Sequence, residues 1–329
     1  MRIETSAPTR IDLAGGTVDI WPLYLFHPGA QTVNAAISLR AHARIEGRTD
    51  GRVVIRSEDT ATTVEANHWR ELADPKGLRL LSLLAHHFQL DGATLTTSCL
   101  SPAGAGIAGS SALNVAVCAA LAAWRGREYA PEALLQLAMN IEARAIGVPT
   151  GLQDYRPALY GGLAALELSA EGIERIPLDV DLDELERRIV LCYTGEPRDS
   201  GTNNWQITKR HIDGDPFIFE CFERIRDTAA HLRTALAAAD WDGVGVAIEE
   251  EWANRKRLSP GVTTPAIERL IMGAQSAGAT AAKVCGAGGG GCLFCYGPPA
   301  ARDAIVASLT SGGARVLDYR FERTGLRHG

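Results

Sequence analysis

Apolar and polar positions change period several times along this 329-residue chain, and each change predicts an element. Up to about residue 60, RIETSAPTRIDLAGG, QTVNAAISLRAHARIEGR and GRVVIRSE mix β-branched with polar residues and read as strands. Thr49-Asp50-Gly51 predicts a β-hairpin between the last two, because Asp-Gly is a strong turn pair. Residues 75–91 form an amphipathic helix with Leu80, Leu81, Leu83, Leu84 and Phe88 on its apolar side. His86 and His87 are adjacent on it, diverge, and cannot chelate one ion. TLTTSCLS is a further strand, and Ala112 to Trp124 lacks Gly and Pro and reads as a helix buried on most sides. PEALLQLAMNIEARAIG is a helix with Pro131 near its start and Gly147 past its end. AALELSAEGIERIPL ends a first domain, and IVLCYTG (189–195) is an apolar strand that breaks into a polar loop. Helices over 216–240 and 243–258 follow, the second carrying Glu249-Glu250-Glu251 on a solvated face. A third helix, the strands TAAKVCG and CLFCYG, a helix over 299–311 and ARVLDYRFE complete helices on an antiparallel sheet.

The buried helix gains chemistry from what precedes it. Gly104, Gly106 and Gly109 permit backbone conformations that a Cβ obstructs, and Ser110 and Ser111 are natural N-cap residues. A glycine loop entering a helix N-terminus is an anion site, since orphan N–H groups and the positive dipole end point the same way. No GK[ST] triplet makes it a P-loop, and no acid about 20 residues on makes it a dinucleotide fingerprint. Glu142 shares an apolar helical row with Leu135, Ala138, Met139, Ala145 and Ile146, so its carboxylate must be paired with a cation or bound to a metal. Arg10 with Asp19 could be a surface ion pair, and Asp154 a turn former.

PAGAGIAGSSA resembles the phosphate-binding motif of the GHMP kinases (galactokinase, homoserine kinase, mevalonate kinase, phosphomevalonate kinase), usually P-x-x-x-G-L-G-S-S-A. One extra residue precedes the double serine, a form similar to the D-glycero-D-manno-heptose 7-phosphate kinase branch of the sugar kinases. APTRIDLAGGTVD resembles the family's substrate motif, and KVCGAGGGGC its third, glycine-rich one. The resemblance implies an α+β, two-domain GHMP kinase fold: a ribosomal protein S5 domain 2-like N-terminal domain over 1–184 and a ferredoxin-like C-terminal domain over 185–329. The active site then lies in the cleft between them.

It implies ATP bound by Pro102, Gly104, Gly106, Ala108, Gly109, Ser110, Ser111 and Ala112, and Mg²⁺ held by Glu142 with a serine hydroxyl, Ser111 rather than Ser110. GLQDYRPALYGG matches the family's G-x-x-D motif, which makes Asp154 the catalytic carboxylate and places Arg10 beside it to keep it ionised. The substrate set is Arg10, Gly15, Gly16, Thr17, Asp19, Asp154, Gly288 and Gly289. Galactokinases carry Glu-His where this chain has Gly16-Thr17, which counts against galactose; AGG-x-x-D looks like the heptose-phosphate branch, where the aspartate holds sugar hydroxyls. The expected reaction is phosphorylation of a sugar or sugar-phosphate hydroxyl, the anomeric one first. Other acceptors of the family (galactose, a uronic acid, a non-sugar alcohol) and a non-catalytic nucleotide or sugar sensor are the alternatives. Arg198, Asn203, Asn204, Lys209 and Arg210 crowd the polar loop at 196–215, where cations could grip a phosphate already on the substrate.

Bulk properties narrow the partners without changing this picture. A net charge of −6 without basic blocks excludes a nucleic-acid surface, and no apolar run reaches membrane-spanning length. Seven cysteines in a core-forming chain point to reduced thiols in a cytoplasmic protein, monomer or homodimer. Cys292 and Cys295 sit three apart on a strand and so point to opposite faces, unsuited to zinc or redox pairing.

Overall fold

In a computed structural model, which describes residues 1–196 and 200–329 and the side chains outside 197–203, the chain builds two sheets covered by helices. The first half contains β1 (Arg2–Ala14), β2 (Gln31–Gly47), β3 (Val53–Ser57), β4 (Thr62–Ala66), α1 (Arg79–His87), β5 (Ala93–Cys99), α2 (Gly109–Trp124) and α3 (Pro131–Ile146). α4 (Arg156–Tyr160), β6 (Leu163–Ser169) and β7 (Gly172–Pro177) close it. The second half runs α5 (Leu182–Arg188), β8 (Ile189–Tyr193), α6 (Ser200–Ile212), α7 (Pro216–Ala237), α8 (Trp241–Leu258), α9 (Pro265–Ser276), β9 (Ala281–Val284) and β10 (Cys292–Tyr296). α10 (Arg302–Ser311), β11 (Arg315–Val316) and β12 (Arg327–His328) end the chain.

The eight-stranded sheet has the order β12-β1-β2-β5-β3-β4, with β6 on the far stretch of β2 and β7 on β6. The four-stranded sheet, β11-β8-β10-β9, is antiparallel throughout, with its strands in the chain order four-one-three-two. That is the ferredoxin-like arrangement expected of the second half. α2 is buried along most of its length, its Ala112, Val115, Ala116 and Ala119 in the core over the first sheet. Small side chains let it approach β1 and β2 closely. Cys292 and Cys295 face different cores, as strand alternation requires.

Several expectations are corrected. β2 and β3 flank Asp50-Gly51 but do not pair, because β5 inserts between them, antiparallel to β2 and parallel to β3. The backbone of this turn bonds instead to the start of β5, Arg48 N–H donating to Gly92 O and Gly92 N–H to Gly51 O. The turn pair specifies a reversal and not a partner. The helix expected over 75–91 covers only Arg79–His87, since Leu78 takes a left-handed φ of 43°. The segment at 196–215 is not a loop: α6 occupies most of it, burying Ile207, Thr208 and His211 on one side. Its polar composition concealed a single narrow apolar stripe. The last residues of the expected 185–329 domain return to the first sheet, where Phe321 bridges Ile37 and β12 pairs with β1. Among the described residues no helix is long and apolar enough to cross a membrane.

Glu251 also departs from the solvated face assigned to it. It is fully buried, pairs with Arg255 on its own helix, and lies 3.2 Å from Lys283 Nζ. Lys283 in turn lies 3.4 Å from Asp12 Oδ1, and Arg255 3.7 Å from Asp12 Oδ2. Asp12 belongs to β1, Lys283 to β9, and Glu251 with Arg255 to α8. Two cations and two carboxylates therefore balance inside the junction of the two halves. The nearby cations hold Asp12 below the usual carboxylate range against the opposing effect of burial. Removing one partner strands its counter-charges without water. Lys283→Met is expected to lose about 3–5 kcal/mol in urea unfolding; a loss below about 1 kcal/mol, the worth of an exposed pair, would show that these charges are not interdependent.

Candidate active site

The phosphate-type loop is shaped by three left-handed residues, Gly104 (φ 67°), Gly106 (φ 77°) and Ala108 (φ 60°). Ala108, not a serine, precedes α2, and no side chain caps the helix N-terminus. Ser110 and Ser111 thus lie inside the first turn, and its N–H groups remain for an anion. Gly109 admits Ser101, whose Oγ would stand 2.5 Å from a Cβ there. Ala112 turns into the core.

Arg10 fixes the loop from β1: its N–H donates to Ile107 O (3.0 Å) and its Nη1 to Gly106 O (2.9 Å). The third motif backs the loop from the other half. Cys292 N–H donates to Ala105 O, and a Cβ on Gly291 would stand 2.6 Å from that oxygen. Gly288 and Gly289 do not reach the cleft; they press on the turn at 261–262, where a Cβ would meet Val262 O at 2.3 Å and Gly261 O at 2.7 Å. Gly286 and Ala287 line the cleft in their stead.

Three carboxylates converge here with one arginine. Asp154 ends a single helical turn, Leu152–Asp154, and its Oδ1 accepts from Arg10 Nε (3.2 Å) and Nη2 (2.5 Å). Arg10 is buried while Asp154 is a quarter exposed, so the carboxylate opens into the cleft. Asp19 is buried beside them, with Oδ2 accepting from Gln153 N–H (2.9 Å) and Oδ1 without a partner among the described residues. Burial, and then the charge of Asp154, pushes its carboxyl up to about 7. Thr17 lines the same cleft, whereas Gly15 is packed against Gln31 O beneath it.

Glu142 is buried on α3 and, among the described residues, has no cationic partner. Its Oε1 accepts from Ser110 Oγ (2.7 Å), and its Oε2 from Tyr155 OH (2.7 Å) and Asn114 Nδ2 (3.3 Å). Burial raises its carboxyl and these hydrogen bonds oppose the rise. The serine bonded to Glu142 is Ser110; Ser111 lines the cleft separately. A buried carboxylate with only neutral donors, beside a hydroxyl in an oxygen-lined cleft, fits a hard divalent cation.

Sequence reasoning missed Gln153, Tyr155 and Asn114. Among the described residues Gln153 Oε1 and Asn204 Oδ1 are buried without partners, and both residues line the cleft. Asn204 comes from α6, so that segment does reach the site, whereas its described cations Lys209 and Arg210 do not line the cleft. Lys209 pairs with Asp213 and Arg210 with Asp215, both at the exposed surface. Arg198 and the side chain of Asn203 lie outside the described residues. A larger hollow of about 490 Å³ by the β6–β7 hairpin holds none of the expected site residues, so chemistry rather than volume marks the site.

Comparison with known proteins addresses the same elements. The GHMP kinases N terminal domain matches residues 77–162, which carry the glycine loop, α2, Glu142 and Asp154, and the GHMP kinases C terminal domain matches 232–315. This chain belongs to the GHMP kinases. A D-glycero-alpha-D-manno-heptose 7-phosphate kinase of Campylobacter jejuni is 29% identical over 99% of this chain and 98% of its own length. A mevalonate kinase of Thermococcus sibiricus is 26% identical over 99% and 98%. The crystal structure of a D-glycero-D-manno-heptose 1-phosphate kinase from Bacteroides thetaiotaomicron superposes with a TM-score of 0.80 at 25% identity, covering 99% of this chain and 98% of that one. As a GHMP kinase the protein is an ATP-dependent small-molecule kinase, a phosphotransferase with an alcohol group as acceptor.

The Asp19 carboxyl sets a stability test that needs no substrate. From about pH 4 to 7 the folded GHMP kinase holds a proton that the unfolded chain has released, so this group's contribution to stability falls as pH rises through that window and levels above it. Asp19→Asn is expected to flatten that part of the stability–pH curve, read by thermal melting; an unaltered curve would place the titration elsewhere.

Proposed function

We propose that this kinase transfers the γ-phosphoryl group of ATP to a sugar or sugar-phosphate hydroxyl, the anomeric one, with a heptose 7-phosphate as the first acceptor to try. The observation that carries the reading is the Arg10–Asp154 pair, set beside the uncapped start of α2 and opposite the unpartnered oxygen of Asp19. The 29% relative named for heptose 7-phosphate supports the choice of acceptor, as does Asp19 itself.

In this reading the N–H groups of the first turn of α2 and its dipole receive the phosphates. Asp154 accepts the hydroxyl proton as the acceptor oxygen bonds to the γ-phosphorus and the β–γ bridging oxygen leaves with ADP. Arg10 orients Asp154 from below and balances its charge. Asp19, Gln153 and Asn204 offer oxygens to the remaining hydroxyls. Glu142 and Ser111 would hold Mg²⁺, which when bound neutralises phosphate charge.

A panel of sugars, sugar phosphates, uronic acids and mevalonate, scored by ADP release and by NMR of the phosphorylated position, tests the acceptor. Asp154→Asn is expected to lower kcat roughly 10²–10⁴-fold while ATP affinity stays within about twofold. Equal turnover in wild type and variant would end this reading.

A further inference from the structure

We propose that Arg255, on α8, is a positioning residue for the acceptor: its guanidinium holds the turn at 15–19 in a backbone conformation that Thr17 would otherwise leave. This rests on the reading above that Thr17 and Asp19 face the acceptor.

Thr17 has φ +73°. A β-branched side chain in the left-handed region is an outlier that persists only where its surroundings over-determine it. Arg255 supplies the determination. Its Nη1 donates to Thr17 Oγ1 (3.0 Å) and its Nη2 to Gly16 O (2.9 Å), so one plane holds two consecutive residues of the turn. Nη1 also reaches Gly286 O at 3.4 Å, tying the acceptor turn to the third glycine loop.

The guanidinium is itself oriented. Its Nε donates to Glu251 (2.9 Å), and Asp12 and Lys283 complete the buried charge balance around it. Gly16 makes room: a Cβ there would stand 2.9 Å from Arg255 Nη2 and 2.3 Å from Asp12 Oδ2. Downstream, Ile20 N–H closes the turn on Thr17 O (3.2 Å), and Asp19 within it accepts from Gln153 N–H. Rotating Thr17 out of the left-handed region would carry Asp19 off that bond. Arg255 does not line the cleft, so it acts through the turn. A lysine would keep the charge and lose the planar fork that spans three acceptors.

The test is a double-mutant cycle of Arg255→Lys and Thr17→Gly, read by melting temperature and by the separate KM values for ATP and for the acceptor found in the panel. Glycine adopts this φ without cost but gives up the bond to Arg255. Thr17→Gly should therefore raise the melting temperature by a few degrees more in the Arg255→Lys background than in wild type. Arg255→Lys should raise the acceptor KM about tenfold, the scale of one lost charged hydrogen bond, with KM for ATP within about twofold. Adding Thr17→Gly should recover part of that loss.

Equal melting gains in the two backgrounds, parallel shifts in both KM values, or no recovery would overturn the proposal. If Arg255→Lys does not fold, Thr17→Val leaves the ion cluster intact and removes only the hydroxyl. It should then lower the melting temperature where Thr17→Gly does not, and like effects of the two on melting would overturn the proposal. The melting arms need no acceptor, so a silent panel would end the sugar-acceptor reading without touching them.

Discussion

The buried balance of Asp12, Glu251, Arg255 and Lys283 is the constraint on which the rest depends. A charge in the protein interior is tolerated only with partners in place, and here the partners come from both halves of the chain. The two halves cannot separate at this point without exposing or stranding four ionised groups. Hydrophobic contact alone would permit the halves to slide; directional ion pairs fix one register. That register sets the turn at 15–19, through Gly16 and Thr17, against the third loop at Gly286.

Backbone contact does the remaining alignment. Gly291 lies against Gly104 and Ala105, so the third loop buttresses the phosphate-type loop without contributing a side chain. Arg10 reaches the same loop from beneath and then Asp154, so one side chain places the glycine loop relative to that carboxylate. A rigid floor is what group transfer requires, since misplacement by an ångström removes much of the gain from proximity.

How much of this was legible follows from where each residue's information lies. The glycines and serines of the loop are local signals, and α2 followed from thirteen residues without Gly or Pro. Glu142 was readable because its apolar neighbours recur at helical spacing, and the structure gives it a buried row without a cation among the described residues. Ser110 against Ser111 was not readable: one residue turns a side chain about 100° round a helix, and whether that faces Glu142 depends on the packing of α2 against α3. Glu251 was misread because Glu and Arg four apart look alike on a solvated face and in a core. Beyond Arg255, its second cation Lys283 is a long way on, and Asp12 lies near the other end of the chain. Turn chemistry likewise named the reversal at Gly51 but not the strand that enters beside it.

The wall of the cleft opposite the ion cluster is attached by different physics. α6, which carries Asn204, is held through His211, whose Nε2 lies 2.8 Å from His27 Nε2, with Phe219 stacked on the ring. Glu223 can only accept, so His27 Nδ1 donates to it (2.5 Å), His27 Nε2 accepts from His211, and His211 Nδ1 is left bare, which is how that atom is found. Burial lowers both imidazoles, His211 to about 4, so the pair is neutral at ordinary pH. One wall is thus fixed by paired charges that bridge the halves, and the other by neutral ring contacts, a ring-to-ring hydrogen bond, the buried Ile207 and a half-exposed Arg210 that bonds Leu258 O and pairs with Asp215. The first keeps Thr17 and Asp19 in register with the phosphate-type loop. A changed side chain on the second wall therefore leaves the buried balance of Asp12, Glu251, Arg255 and Lys283 intact.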